Sequence, residues 1–252
     1  MANKRPLVLV DLDDTLFQTA RKMPANAARY PASYDVNGDV SGYQNAVQKA
    51  LLDWLLATAD VLPVTARSAE AFNRVRLEFT HGAICAHGGL ILDPQGRVDK
   101  DWHAAMGEVL APFHERLPAL CDTALGLADR LGVSLRGWVV EEAEQRHYVV
   151  IKHNSGSDHD LQRVLEALQA QGLLTDLHSH RNGNNLALLP SGLCKRAAVQ
   201  HYLARDRLQH GERLVLGFGD SITDLGFMNL CDFWATPSHS QLAAVVREHA
   251  DE

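Results

Sequence analysis

The 252-residue sequence is poor in several features, and each shortage closes a class of function. Long apolar runs are missing: near the N-terminus only four consecutive apolar residues, Leu7 to Val10, precede Asp11. That is too few for a membrane span or an export signal, so no membrane partner is expected and the protein is expected to be unexported. Cysteine is sparse, and Cys85, Cys121, Cys194 and Cys231 stand far apart without a C-x-x-C pair. A disulfide framework is thereby disfavoured, and reduced thiols in a cytoplasmic setting are expected. Positive charge is in deficit, with 24 Lys and Arg against 31 Asp and Glu for a formal charge of −7, so no nucleic-acid partner is expected. Low-complexity tracts and charge blocks are also missing, which excludes disorder as the default.

What remains is an ordinary globular composition, 46% apolar and 22% charged, in a chain long enough for a core plus a smaller second domain. Leu7 to Val10 reads as a parallel strand buried on both faces. Val61 to Thr65 and Leu214 to Phe218 are similar runs ending in polar or glycine residues, and they predict a parallel sheet with functional groups beyond the strand tips. Pro63 counts against the second, because proline cannot donate to a central ladder. Apolar spacing of three and four predicts helices over Gln44 to Ala57, Ala69 to Phe79, Lys195 to Ala204 and Gln241 to His249. Strands alternating with helices predict an α/β fold. Gln18 to Gly42, rich in Pro, Asn, Gly and Ser, reads as a long loop beside the first strand tip.

The middle third has a different pattern. A helical stretch from Trp102 to Leu131 precedes an extended pair, Val133 to Val140 and His147 to His153, joined by a polar turn. Ser157 is an expected N-cap for a helix over Asp158 to Ala170, with Gly172 as its stop, before extended segments at Leu173 to His178 and Asn185 to Leu189. The expected organisation is an α/β core of residues 1–99 and 188–252, interrupted by an inserted α+β domain of residues 100–187.

Four segments carry chemistry, each at or near a predicted strand tip: Asp11-Leu12-Asp13-Asp14-Thr15, Thr65-Ala66-Arg67, Lys195, and Gly219-Asp220-Ser221-Ile222-Thr223-Asp224. Two carboxylates one residue apart at the end of a buried strand repel and lose hydration, which a bound cation or a catalytic role explains. Taken alone, that pair reads equally well as a solvated loop, Gly219 to Asp224 as a capped turn, and Lys195 as a solvated side chain. A calcium loop starting at Asp11 is excluded, since Leu16 stands where glycine is needed and Lys22 where a bidentate acid is needed.

Together and in this order, the segments resemble the haloacid dehalogenase (HAD) superfamily of phosphotransferases across the whole core. Asp11 and Asp13 match its first motif, Thr65 its second, Lys195 its third, and Asp220 with Asp224 its fourth. The inserted domain resembles the large cap of subclass IIB, with its Cof-like, sucrose-phosphatase-like and mannosylglycerate-phosphatase-like members. The resemblance implies a HAD-like Rossmannoid parallel-sheet core with an α+β cap. It also implies Asp11 as nucleophile, Asp13 as acid and base, and Thr65 and Lys195 as phosphate-binding groups. The implied cofactor is Mg2+, held by Asp11, a backbone oxygen at Asp13, Asp220 and Asp224. Lys195 is then expected to matter more to rate than to folding. Two positions depart from the subclass, which usually has glycine where Asp14 stands and asparagine where Thr223 stands.

In the cap, Arg181 and Asn184 offer donors and acceptors suited to sugar hydroxyls, although their stretch also reads as a glycine-containing turn. Lys152-His153 and His178-Ser179-His180 are similarly ambiguous, and the two histidines two apart lack a third ligand for zinc. His87-Gly88-Gly89 reads as a turn near the exit from the core. The expected activity is Mg2+-dependent hydrolysis of a small phosphorylated metabolite, most simply a sugar phosphate. A phosphomutase of the phosphomannomutase type is the alternative. A signalling receiver module is disfavoured by the large insertion and by the lack of an acidic pair before Asp11, and a non-catalytic module by the presence of every acid the mechanism needs. Neither the substrate nor the oligomeric state is legible in the sequence.

Overall fold

Four consecutive aliphatic residues are fully buried only where a strand is covered on both faces, and Leu7–Val10 forms such a strand, β1. In the computed structural model, which describes residues 4–154 and 158–250, the chain continues through β2 (Tyr30–Tyr34), β3 (Val40–Gln44), α1 (Ala46–Thr58), β4 (Asp60–Pro63), α2 (Ala69–Phe72), β5 (Ala83–Cys85) and β6 (Leu90–Leu92). The middle elements are α3 (Lys100–Leu110), α4 (Arg116–Arg130), β7 (Leu135–Glu142), β8 (Gln145–His153), α5 (Asp158–Ala170), β9 (Leu177–Asn182) and β10 (Asn185–Pro190). The chain closes with α6 (Lys195–His210), β11 (Val215–Phe218), α7 (Leu225–Met228), β12 (Phe233–Ala235) and α8 (Gln241–Ala250). Two units result, Met1–Trp102 with Cys194–Glu252, and His103–Leu193.

The core sheet runs β12–β11–β1–β4, parallel throughout. Because β1 lies between β11 and β4, Val10 sits beside both Phe218 and Pro63. Asp11, Gly219 and the Val64–Thr65 pair therefore leave the sheet at the same edge, as strand-tip chemistry requires. Pro63 is tolerated for a geometric reason. The Val64 N–H bonds Val10 O and the Thr65 N–H bonds Ile84 O, so the donor that proline lacks falls on the outer side of β4, short of the point where β5 joins.

Two sequence expectations fail in this unit. Residues 18–42 are not simply a loop, because β2 and β3 pair as an antiparallel hairpin. Its turn is set by Asp35 Oδ1, which accepts the N–H groups of Asn37 and Asp39 at 2.9 Å each, and by Gly38 at φ +86°. The helix expected over residues 69–79 stops at Phe72, because the following residues pair with β2 instead. Tyr34 N–H bonds Arg74 O, and Arg76 N–H bonds Ala32 O.

The inserted unit is an antiparallel sheet, β7–β8–β10–β9. One face is packed by α4 and α5 through Leu117, Leu120, Leu161 and Leu168 against Val149, Ile151, Leu186 and Leu188. The helical stretch expected over residues 102–131 breaks at a tight turn containing Pro112. Gly172 has φ +66°, as a helix stop requires, but the next strand starts at Leu177 rather than Leu173. Ser157 lies outside the described residues. The return to the core falls at Cys194 rather than at residue 188, because β10 stays hydrogen-bonded to β9 through Pro190. No helix among the described residues is long and apolar enough to cross a membrane.

At the end of the core sheet opposite Asp11, Arg213, only 5% exposed, bridges Asp60 at 2.5 Å and Asp206 at 2.6 Å. Burial alone would raise the Asp60 carboxyl, but the Arg213 hydrogen bond and the charges of His81, Arg213 and Arg5 hold it below its ordinary value. A depressed folded pKa contributes stability above the unfolded value, about 3.9, that is lost as pH falls through the folded one. Arg213→Met is expected to cost roughly 2 kcal/mol at neutral pH, between the values for exposed and buried pairs. It should also flatten the loss of stability below about pH 4, both effects being read from urea midpoints.

Candidate active site

Asp11 extends the parallel pairing of β1 by one residue, its N–H donating to Phe218 O at 2.8 Å. Its carboxylate is buried. Oδ1 accepts from Lys195 Nζ at 2.6 Å, and Oδ2 has only a long contact from the Thr15 hydroxyl at 3.5 Å. The same Lys195 Nζ donates to Asp224 Oδ1 at 2.6 Å. Lys195 is the first residue of α6, where a cation opposes the helix dipole, and the Cys194 N-cap makes no side-chain cap bond. Helix chemistry does not explain a lysine there, whereas two carboxylates do. The start of α6 docks on the turn after β5, where Gly88 at φ +99° leaves room for the Cys194 carbonyl that a Cβ would strike.

Asp224 follows β11. Its Oδ2 accepts from the Ser221 N–H at 3.0 Å and from the Ser221 hydroxyl at 2.7 Å. Gly219 makes that turn possible, since a Cβ there would lie 2.5 Å from Asp224 Cβ. Asp11, Asp220 and Asp224 each bring a carboxylate oxygen to within 4.8 Å of the others.

Burial pushes Asp11 well above the usual carboxylate range, with Asp224 and Asp220 adding to the effect and Lys195 opposing it. Burial and the charges of Asp224 and Asp14 push Asp220 up to about 7. Asp224 goes the other way, because the Lys195 charge and the bonds from Lys195 and Ser221 outweigh its burial. Lys195 is likewise held protonated by the two acids against its own burial. With all three carboxylates ionised, they and the one ammonium leave two negative charges uncompensated, which one divalent cation would balance. Oxygen donors alone suit a hard ion, so the residues fit such a metal.

Thr65 is buried at the tip of β4, and its Oγ1 accepts the Arg67 N–H at 3.1 Å. The group of three acids does not include the Asp13 carboxylate. That carboxylate meets Arg67 fork to fork, with Nε to Oδ2 and Nη2 to Oδ1 both at 2.7 Å. Asp14 adopts φ +62°, the left-handed region that favours glycine and that aspartate tolerates, and its carboxylate lies 2.5 Å from Lys22 Nζ. The Thr223 hydroxyl bonds Ser221 Oγ at 2.8 Å.

Arg67, Ser221 and Thr15 lie inside the segments that carry the acids and Thr65, and no signal in the sequence assigns them a role. Spacing shows which strand tip a residue leaves, not which neighbour it bonds. In the cap, Arg181 stands opposite Leu186 on the helix-covered face, and its Nη1 donates to Gln162 of α5 at 2.8 Å. Asn184 is exposed in the turn between β9 and β10. Lys152 Nζ lies 5.7 Å from the centre of the Trp138 ring, and His178 and His180 pair with Leu189 and Ala187 on the other face. Among the described residues no metal-sized group includes either histidine.

No family model matches the chain, and no curated protein matches it. Among solved structures the chain is similar to a Thermoplasma acidophilum protein, with TM-score 0.58 and 13% identity over 97% of this chain and 89% of that one. It is also similar to the sucrose-phosphatase of Synechocystis in complex with sucrose and phosphate, with TM-score 0.53 and 16% identity over 98% of both chains. A third similar structure is a trehalose-6-phosphate phosphatase related protein, with TM-score 0.52 and 19% identity over 93% of this chain and 89% of that one. The chain thus has the HAD-like fold, a parallel-sheet core with an inserted α+β cap.

Lys195 bears on folding directly, because it is the counter-charge of two buried acids. Lys195→Met should destabilise the protein by roughly 3–5 kcal/mol, the cost of leaving buried charge unpaired. Adding Asp224→Asn should recover part of that loss, as measured by urea unfolding.

Proposed function

We propose that this chain is a phosphohydrolase of the HAD superfamily, subclass IIB, that moves the phosphoryl group of a small phosphorylated metabolite first to Asp11 and then to water. The observation that carries the reading is the state of Asp11: a buried carboxylate at a strand tip with one oxygen fixed by Lys195 and the other nearly unoccupied. A nucleophile needs that asymmetry, with one atom oriented and one available to attack.

Phosphate monoesters resist attack because their oxygens repel an anion. A cation held by Asp11, Asp220, Asp224 and the main-chain oxygen of Asp13 would neutralise that charge, and an all-oxygen donor set favours Mg2+. Asp11 Oδ2 forms a bond to phosphorus as the ester P–O bond breaks, and Asp13 gives its proton to the departing alkoxide. The Asp13 carboxylate then takes a proton from the water that attacks phosphorus, releasing inorganic phosphate and restoring Asp11. Thr65, whose oxygen already accepts the Arg67 N–H, keeps its own O–H for a phosphoryl oxygen. Lys195 balances the charge that builds in the transition state.

A sugar phosphate is the favoured substrate class, supported by the sucrose-phosphatase and the trehalose-6-phosphate phosphatase related protein that share this fold. Arg181 and Asn184 remain cap candidates for the sugar; both are exposed, and Arg181 is already engaged by Gln162. The four free cysteines fit a cytoplasmic setting.

Asp11→Asn, which keeps the volume and relieves repulsion among the acids, should abolish phosphate release while leaving the circular dichroism and melting temperature near wild type. Wild-type turnover by the purified variant would overturn the assignment. A panel of sugar phosphates should yield inorganic phosphate; an isomerised sugar phosphate formed with a bisphosphate activator would instead point to a mutase. Chelation should stop turnover, and Mg2+ but not Zn2+ should restore it. Mg2+ at a hundredfold excess over its Kd should stabilise the wild type by about 2.7 kcal/mol. Asp220→Asn should lose most of that gain in a thermal shift assay.

A further inference from the structure

We propose that Arg67 is the positioning residue for Asp13, fixing the carboxylate that moves protons in the reaction above; the inference rests on that reading. Asp13 is 45% exposed and follows the end of β1, where a short side chain has a choice of rotamers. Among the described residues, Arg67 is the hydrogen-bond partner that decides between them, with two parallel bonds of 2.7 Å each. A fork of this kind sets the plane of the carboxylate as well as its distance, which one point charge cannot do.

The guanidinium is itself held. It lies 5.0 Å over the ring of Phe17, which is almost completely buried, and its Nη1 reaches Ala71 O at 3.5 Å. Its backbone N–H is committed to Thr65 Oγ1 at 3.1 Å. Arg67 therefore couples two strand tips: its main chain orients the Thr65 hydroxyl, and its side chain orients Asp13. When Asp13 carries the proton, one oxygen still accepts from the fork while the other turns its O–H toward the departing oxygen. After transfer, both oxygens return to the guanidinium, and the carboxylate stands ready for water. This is the third-group logic of an oriented base, supplied here by an arginine.

The test compares kcat/KM for an alkyl phosphate, such as a sugar phosphate the wild type hydrolyses, with that for nitrophenyl phosphate. This ratio reports steps through formation of the phosphorylated enzyme. A nitrophenolate departs without a proton, whereas an alkoxide needs one. Arg67→Ala should therefore lower the alkyl value by roughly 10- to 100-fold while changing the aryl value little. Arg67→Lys, which keeps the charge but not the fork, should behave like Arg67→Ala. Free guanidinium ion should restore part of the alkyl activity of Arg67→Ala but not of Arg67→Lys, whose amine occupies the site. Equal losses on both substrates, or full activity in Arg67→Lys, would overturn the positioning role while leaving the phosphatase reading intact. Failure of the wild type to release phosphate from either substrate would overturn that reading, and this inference with it.

Discussion

The ammonium of Lys195 between Asp11 and Asp224 is the constraint on which the active end of the core depends. It ties the tip of β1, the start of α6 and the turn after β11 into one buried group, joining residues 184 positions apart in the chain. Taken by themselves these contacts are poor stabilisers, because each buried ion loses hydration that Coulomb attraction only partly returns. They are nevertheless interdependent, since deleting the ammonium leaves two buried carboxylates without compensation. The surroundings are built for the ammonium: Gly88 lets α6 begin against the β5 turn, and Phe227 places its ring 5.7 Å from Nζ.

A site that costs stability implies that the rest of the fold supplies it. The aliphatic residues of β1 are fully buried, and Val8 and Val10 pack with Leu52, Leu55 and Val61, so the strand ending in Asp11 is held by its own core. The inserted unit has a separate apolar cluster built from α4, α5 and its sheet. Its members all come from that unit, and residues on the opposite face of the sheet are not needed to form it. The β9–β10 register separates the two faces: Arg181 lies on the helix-covered face and is engaged by α5, whereas His178 and His180 occupy the other face.

The strands that carry the acids were legible in sequence because a buried parallel strand has a simple signature, a short aliphatic run ending abruptly in polar residues. Leu7 to Val10 and the run ending at Phe218 both satisfy it. The hairpin of β2 and β3 was missed because its residues alternate irregularly and include Pro31 and Gly42, although Asp35, Asn37 and Gly38 carried the turn signal. Helix α2 was overextended because Phe72, Val75 and Phe79 keep a helical spacing, while the backbone of residues 74–76 finds partners on β2. Periodicity records which side chains are buried; it does not record which hydrogen-bonding partner the backbone finds. Arg67 was overlooked for a similar reason. Its position two residues after Thr65 was visible, but its pairing with Asp13, 54 positions away, is a product of strand order.

Residues 14 and 223 meet different requirements, and the difference follows from what each position must do. At residue 14 the requirement is conformational, a backbone at φ +62°, and aspartate is among the few non-glycine residues that meet it at small cost. The Asp14 carboxylate adds a negative charge that raises Asp220, and it is itself paired with Lys22 at 2.5 Å. At residue 223 no unusual conformation is needed, and the threonine hydroxyl bonds Ser221, which in turn orients Asp224. Both residues belong to the surroundings of the three acids and are not members of that group. A charge-neutralising site can tolerate change in its support as long as the balance of charge at its centre is kept, since that balance, rather than any single contact, sets the field felt by an incoming anion.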